Sequence, residues 1–366
     1  MKPRDVWISL TTAVVLGLTS MATQARDLKV NCDIGQSVQD AINRARSSAA
    51  PLVVNVKGDC YENVILSRDA LTIDGGGETV IHGTLINRGV RVTISNIGIT
   101  RPGFGMRATT GRTRLINVHF FDNAEEGLIV RRNGMVLFRG GSVKNNDLEG
   151  IAVESGTLEV GDVEISGNDF GIDASMARIR LEDTQIINNV RRGISVADNS
   201  ALQVADIVVR ENGGAGVIVD NGSSFVAERV DISWNGSSAV AVRFNSNASI
   251  ADSTISNNGQ GGGFGTGVFV STSSTATIDS SEIFGNLAGV NANRQSFINV
   301  EGTTVVRDNF GDGMTLVHDS GAIVDNPVII PPNGSGYAVY CNDTESSFEN
   351  RSAGVGLTNC KGFDLP

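Results

Sequence analysis

Glu126, Asp147, Glu149, Asp169 and Asp173 all fall within a few residues of a recurring asparagine. Side chains that return at one place in successive segments come within about 5 to 10 Å of one another when those segments stack as strands. Carboxylates crowded in this way either hold a cation such as Ca²⁺ or raise one another's pKa for acid–base work, and Glu126, Asp147, Glu149 and Asp169 are the candidate ligands. The same positions also suit a plain solvated acidic turn. In the strand that follows, Arg131, Glu154 and Asp173 are expected at outward positions of three successive coils. A guanidinium beside carboxylates suits recognition of a uronate, which makes these three the candidate catalytic residues. It suits equally an ordinary cross-strand ion pair, as expected between Asp220 and Arg243. A third group is aromatic: Trp234, Phe264 and Phe269 surround a Gly-rich stretch at residues 259–266 and can form a platform for pyranose rings. The alternative is that this stretch only covers an apolar strip of Ile218, Ala241 and Phe269. The histidines, His82, His119 and His318, are too far apart along the chain to share a metal, and spacing alone supports no Ser-His-Asp arrangement.

Such groups need a scaffold that repeats. Asn123, Asn146, Asn168, Asn189, Asn212, Asn235, Asn258, Asn286 and Asn309 follow one another at intervals close to 23 residues. Three positions before each stands an apolar residue, from Phe120 and Val143 to Ile283 and Val306. After each come two more apolar columns two residues apart, beginning Leu128 and Val130 and ending Met314 and Leu316. Alternation of period two on both sides of a turn means short strands with one face buried. A unit this small cannot bury its face alone, so about nine coils must stack into a solenoid with a shared interior. The asparagine amide can then satisfy backbone groups of its own turn and of the next coil. One coil is longer than the rest, and the excess is the Gly-rich stretch at 259–266, which must project.

The ends of the chain read differently. Residues 1–25 carry Lys2 and Arg4, an apolar run and the small-residue exit Ser20, Ala22 and Ala25, which is the pattern of a secretory signal peptide leading to the periplasm or beyond. Residues 26–66 are expected to form an N-terminal cap and the first strands, 67–320 the coils and 321–366 a C-terminal cap that folds over the end of the rod or back along a flank. Residues 37–48 read as a short capping helix, with Val38, Ala41, Ile42 and Ala45 on one face and Ser37 placed to cap it. Four cysteines allow three pairings; Cys32 with Cys60 and Cys341 with Cys360 is expected, since each bridge then staples one end. A four-thiolate metal site would lack any Cys-x-x-Cys spacing. The formal charge of −11 becomes −12 without residues 1–25 and argues against nucleic acid as a partner. No other run is long and apolar enough to embed the chain in a membrane.

The segment Ser37-Val38-Gln39-Asp40-Ala41-Ile42-Asn43, then Gly58, Tyr61-Glu62-Asn63-Val64 and Ile73-Asp74-Gly75, together with the Asn and Gly-Ile repeats, resembles the right-handed parallel β-helix proteins of the pectin-lyase-like superfamily. The resemblance covers roughly residues 29–317 and implies an all-β solenoid with a short N-terminal capping helix. It also implies binding, and cleavage, de-esterification or epimerisation, of an acidic polysaccharide or other glycan. The catalytic clusters of the polygalacturonases, methylesterases and pectate lyases are not found, nor is the Asp-Pro-His of alginate epimerases. Two readings follow: a glycan-binding and glycan-modifying protein, or a non-catalytic structural or adhesive rod of the cell surface, the latter favoured by small polar outward residues such as Ser195, Ser271, Asn291 and Thr315.

Overall fold

The computed structural model describes residues 25–45, 50–101, 103–259, 265–360 and 362–364. The expected signal peptide, apart from Ala25, and Phe264 lie outside the described residues.

The chain is a right-handed parallel β-helix. Each coil contributes one strand to a front sheet and two to the flanks. Among the described residues the front sheet has 13 strands, all parallel, from Val64–Leu66 through Leu128–Arg131, Glu149–Glu154 and Phe170–Ser175 to Val339–Cys341. The flank strands, such as Thr157–Gly161 and Glu164–Ser166, pair with their counterparts one coil before and after. In the early coils both flank strands form one long bent strand, as in Arg112–Asn123. All three apolar columns point inward, and Phe120, Ile165, Leu128, Ile151, Val130 and Val242 are fully buried. Each large apolar side chain so enclosed contributes roughly 1.5–3 kcal/mol, which only the stacking of neighbours makes available.

The asparagine column is a continuous hydrogen-bond ladder. Each Nδ2 donates to Oδ1 of the next asparagine at 2.7 to 3.2 Å. Asn189 Nδ2 also donates back to the Ile165 carbonyl of the preceding coil, at 3.2 Å. One amide therefore ties three coils. The ladder ends at Asn333, a member that sequence reading missed, and Asn123 Oδ1 at its start has no partner. A second ladder was also missed. Ser200, Ser223, Ser246, Ser274, Ser296, Ser320 and Ser346 are buried at the turn leaving the front sheet, each backbone N–H but the last donating to the next hydroxyl at 3.1 to 3.3 Å.

The stack is longer than the nine coils expected. Arg26–Asn31 already pairs in register with Leu52–Lys57. At the other end Gly321–Val324 pairs with both Phe297–Glu301 and Ser347–Asn350, and Val339–Cys341 pairs with Met314–Val317. The segment expected to fold over the end of the rod or back along a flank instead continues the stack. Pro331 and Pro332 hid this in the sequence, yet they sit just past Ile329–Ile330, where a strand tolerates the loss of an N–H.

The helix spans Val38–Arg44, with Ser37 and Ala45 as its caps and Val38, Ala41 and Ile42 buried against the first strands, and residues 46–48 of the expected helix lie outside the described residues. Ser37 Oγ accepts from the Asp40 N–H at 3.1 Å, and the Glu62 carboxylate accepts from Ser37 Oγ and from the N–H groups of Val38 and Gln39. Cys32–Cys60 and Cys341–Cys360 are both closed, one at each end. Among the described residues no helix is long and apolar enough to cross a membrane.

Candidate functional site

Register along the front sheet decides which outward residues are neighbours. The central outward column runs Arg107, Ile129, Ala152, Asp173, Ser195, Ile218, Ala241, Phe269, Asn291 and Thr315. Arg131 and Glu154 stand in the next column, where their successor is Ser175. The three candidate catalytic residues therefore do not form one ladder. Inward Val153 aligns with Ala174, and this places Glu154 beside Ser175 and shifts Asp173 two residues along the strand. Arg131 Nε and Glu154 Oε2 are 2.9 Å apart, a cross-strand ion pair, and Arg243 and Asp220 form the pair expected of them at 2.5 Å.

Asp173 instead faces the acidic group. Glu149 is half-buried on the strand that precedes Asp173 in the stack, and its carboxyl holds its proton to a higher pH than usual. Burial is the first cause, and the charges of Asp173, Glu126 and Asp169 add to it. Three of the other four carboxylates singled out by sequence thus act on Glu149; Asp147, exposed on the turn, is not among them. Among the described residues the one set of three ligand atoms within 4.8 Å of one another is Cys32, Cys60 and Glu62, whose cysteines are consumed by the disulfide. Cations of the protein itself flank the carboxylates: Arg191 lies 3.2 Å from Asp169, while Arg191 and Arg192 lie 5.3 and 5.7 Å from the Phe170 ring. Sequence reading missed Phe170 and this arginine pair, although both sit just ahead of the recurring glycine, where the outward column could have been followed.

Two coils beyond Asp173 the same column turns apolar. Ala215, Ile218 and Ala241 form a small buried cluster outside the main interior, with Phe269 packed against it. They floor a cleft of about 410 Å³ whose rim includes Arg243, Thr266, Asn291 and Asn293. Asn291 Oδ1 is buried there with no hydrogen-bond partner. The oversized coil enters and leaves beside this cleft. A Cβ on Gly265 would stand 2.1 Å from the Gly259 Cα, so the two glycine backbones close the neck of the insertion. Trp234 is not among the residues lining the cleft; it is 53 % exposed on the turn just before Asn235. The aromatic surface of the cleft is Phe269.

The histidines stay apart, His82 with Asp59, His119 with Ser142 and His318 with Asn293. Burial, then the charge of Lys144, hold the His119 pKa below the ordinary histidine value.

Among solved structures the fold is similar to that of a point-mutant form of the periplasmic alginate epimerase AlgG, with a TM-score of 0.55 and 15% identity over 90% of this chain and 83% of that one. It is also similar to the catalytic unit of an α-1,3-glucanase of Streptomyces thermodiastaticus, with a TM-score of 0.52 and 12% identity over 94% of this chain and 70% of that one. At such identities the likeness is one of fold. No curated protein matches the sequence. The profile of the family described as "Right handed beta helix region" matches residues 82–225 and 192–353. With most of the chain so covered and the coils seen in the structure, this protein belongs to the right-handed beta helix family.

Proposed function

We propose that the outward face of the front sheet binds an acidic polysaccharide along the rod axis, and that Glu149 and Asp173 move protons on the bound sugar. The observation that carries this reading is the single central column, which joins the acidic group around Asp173 to the Phe269 cleft within a few steps of about 4.8 Å. Phe269 offers a ring face to a pyranose, and the orphaned Asn291 Oδ1 offers an acceptor to a sugar hydroxyl. Glu149, which keeps its proton to a higher pH, suits the donor, and Asp173 beside it suits the acceptor. Arg131, held by Glu154, lies one column away, where a uronate carboxylate would be met. A solved structure named as an alginate epimerase and one named as an α-1,3-glucanase share the fold, which supports a polysaccharide as the ligand. Two disulfides and the N-terminal segment suit the periplasm or the exterior.

The test is a panel of polyuronates and neutral glucans, assayed for epimerisation and chain cleavage with and without Ca²⁺. Turnover of at least one uronate, lost in Glu149→Gln and Asp173→Asn, is expected. Turnover undiminished in both variants removes these residues from the chemistry, and wild-type protein that neither binds nor alters any of the panel leaves the non-catalytic rod.

A further inference from the structure

A flank sheet carries a different surface. Arg91 and Arg112 are register partners on adjacent coils, about 4.8 Å apart along the stack, and Arg114 follows Arg112 two residues on, roughly 7 Å along the same strand. All three line a cleft of about 440 Å³, together with Thr72, Thr93 and Leu137, and its lining holds no carboxylate. Arg91 is anchored outside the cleft by Asp69, whose carboxyl it holds well below the usual range, at about 2. Arg112 and Arg114 make no ion pair among the described residues.

On a chain with 40 acidic and 29 basic residues, Arg112 and Arg114 stand beside Arg91, which Asp69 already pairs, and themselves lack the carboxylates that neutralise Arg131, Arg229 and Arg307 elsewhere on the rod, so their like charges repel. A bound anion relieves that repulsion, and guanidinium forks match a carboxylate in two-pronged geometry. The threonine hydroxyls and the Leu137 side chain suit a sugar better than a bare ion. The net charge of −11 disfavours a dense polyanion, whereas a uronate chain brings only one charge per sugar. We propose that this cleft is a second glycan site, separate from the front sheet, which takes successive carboxylates of a polyuronate. The proposal rests on the acidic-polysaccharide reading for the choice of ligand, but not on the front sheet's residues.

The test is titration of the full chain with an oligogalacturonate at low salt, beside a neutral glucan, a sulfated oligosaccharide and polyphosphate of similar length. Wild type is compared with Arg112→Gln/Arg114→Gln and, separately, with Asp173→Asn/Phe269→Ala. The expected result is a roughly tenfold or greater loss of the flank-site binding in the arginine variant, with that binding kept in the front-sheet variant and no response to the neutral glucan. Unchanged binding in the arginine variant overturns the proposal, and if the front-sheet variant alone loses affinity then the proposed function stands without it. Tighter binding of sulfate or phosphate polymers than of the uronate overturns the choice of ligand. Failure of wild type to bind the uronate at all overturns both readings.

Discussion

Glu149 carries its charge at a cost that a glutamine would not. Its folded pKa is raised, so relative to the neutral acid its ionised form is less stable in the folded chain than in the unfolded one. The stability linked to this group is therefore complete at pH below the ordinary glutamate value, about 4, and is lost as pH rises through the elevated folded value. Glu149→Gln should accordingly melt at a higher temperature than wild type near neutral pH, with the difference fading as pH falls below about 4. Thermal melts across pH decide it, and an equal gain at every pH would show that charge is not the cause. Asn212 makes the opposite case. Its Oδ1 accepts from the Asn189 backbone and side chain at 3.1 and 2.9 Å, and its Nδ2 donates to Asn235 and to the Ile186 carbonyl. Asn212→Leu strands these buried groups, and chemical denaturation should show a loss of about 1–3 kcal/mol. At this scale the sequence was informative where residues recur at one offset from the asparagine. It misled for Asp173, because a residue's offset along its strand depends on which inward side chains align, and it placed Asn291 outward without showing its missing partner, which is a fact of three dimensions.

The repeat was legible because the three apolar columns beside each ladder asparagine hold no polar residue, and the asparagine itself punctuates them. Its ends were not. The first coils lack the asparagine, and the proline pair ahead of Asn333 resembles a terminator although Ile330 and Val339 keep their inward places. The serine ladder was hidden for another reason: serine is so common on the outward sites that seven buried ones do not stand out. The oversized coil was visible as excess length, but not the contact that closes it. Gly265→Ala forces a methyl group into the Gly259 backbone, and the neck has to open. The expected outcome is a loss of about 1–3 kcal/mol in thermal stability, with faster hydrogen exchange at the Leu287 amide, which donates to the Gly265 carbonyl at 2.8 Å. Protection at Leu287 equal to wild type would mean that the neck is not a structural closure.

At the scale of the whole molecule, a solenoid turns sequence repetition into straight columns, and the same stacking that builds the core lines up outward side chains for an extended ligand. Fold class, the two staples and the acidic group could be read from the chain because each follows from periodicity or from pairs local in sequence. The site could be read only in part, since a binding face needs the register of one coil on the next. The central claim is that this face, with Asp173 and Phe269 in one column, is where a glycan lies. The most direct measurement is calorimetric titration of wild type, Asp173→Asn and Phe269→Ala with whichever polyuronate the panel identifies, with circular dichroism as a check that each variant is folded. The account predicts binding by wild type and affinity weakened by roughly tenfold or more in each variant. Undiminished affinity in both folded variants would contradict it.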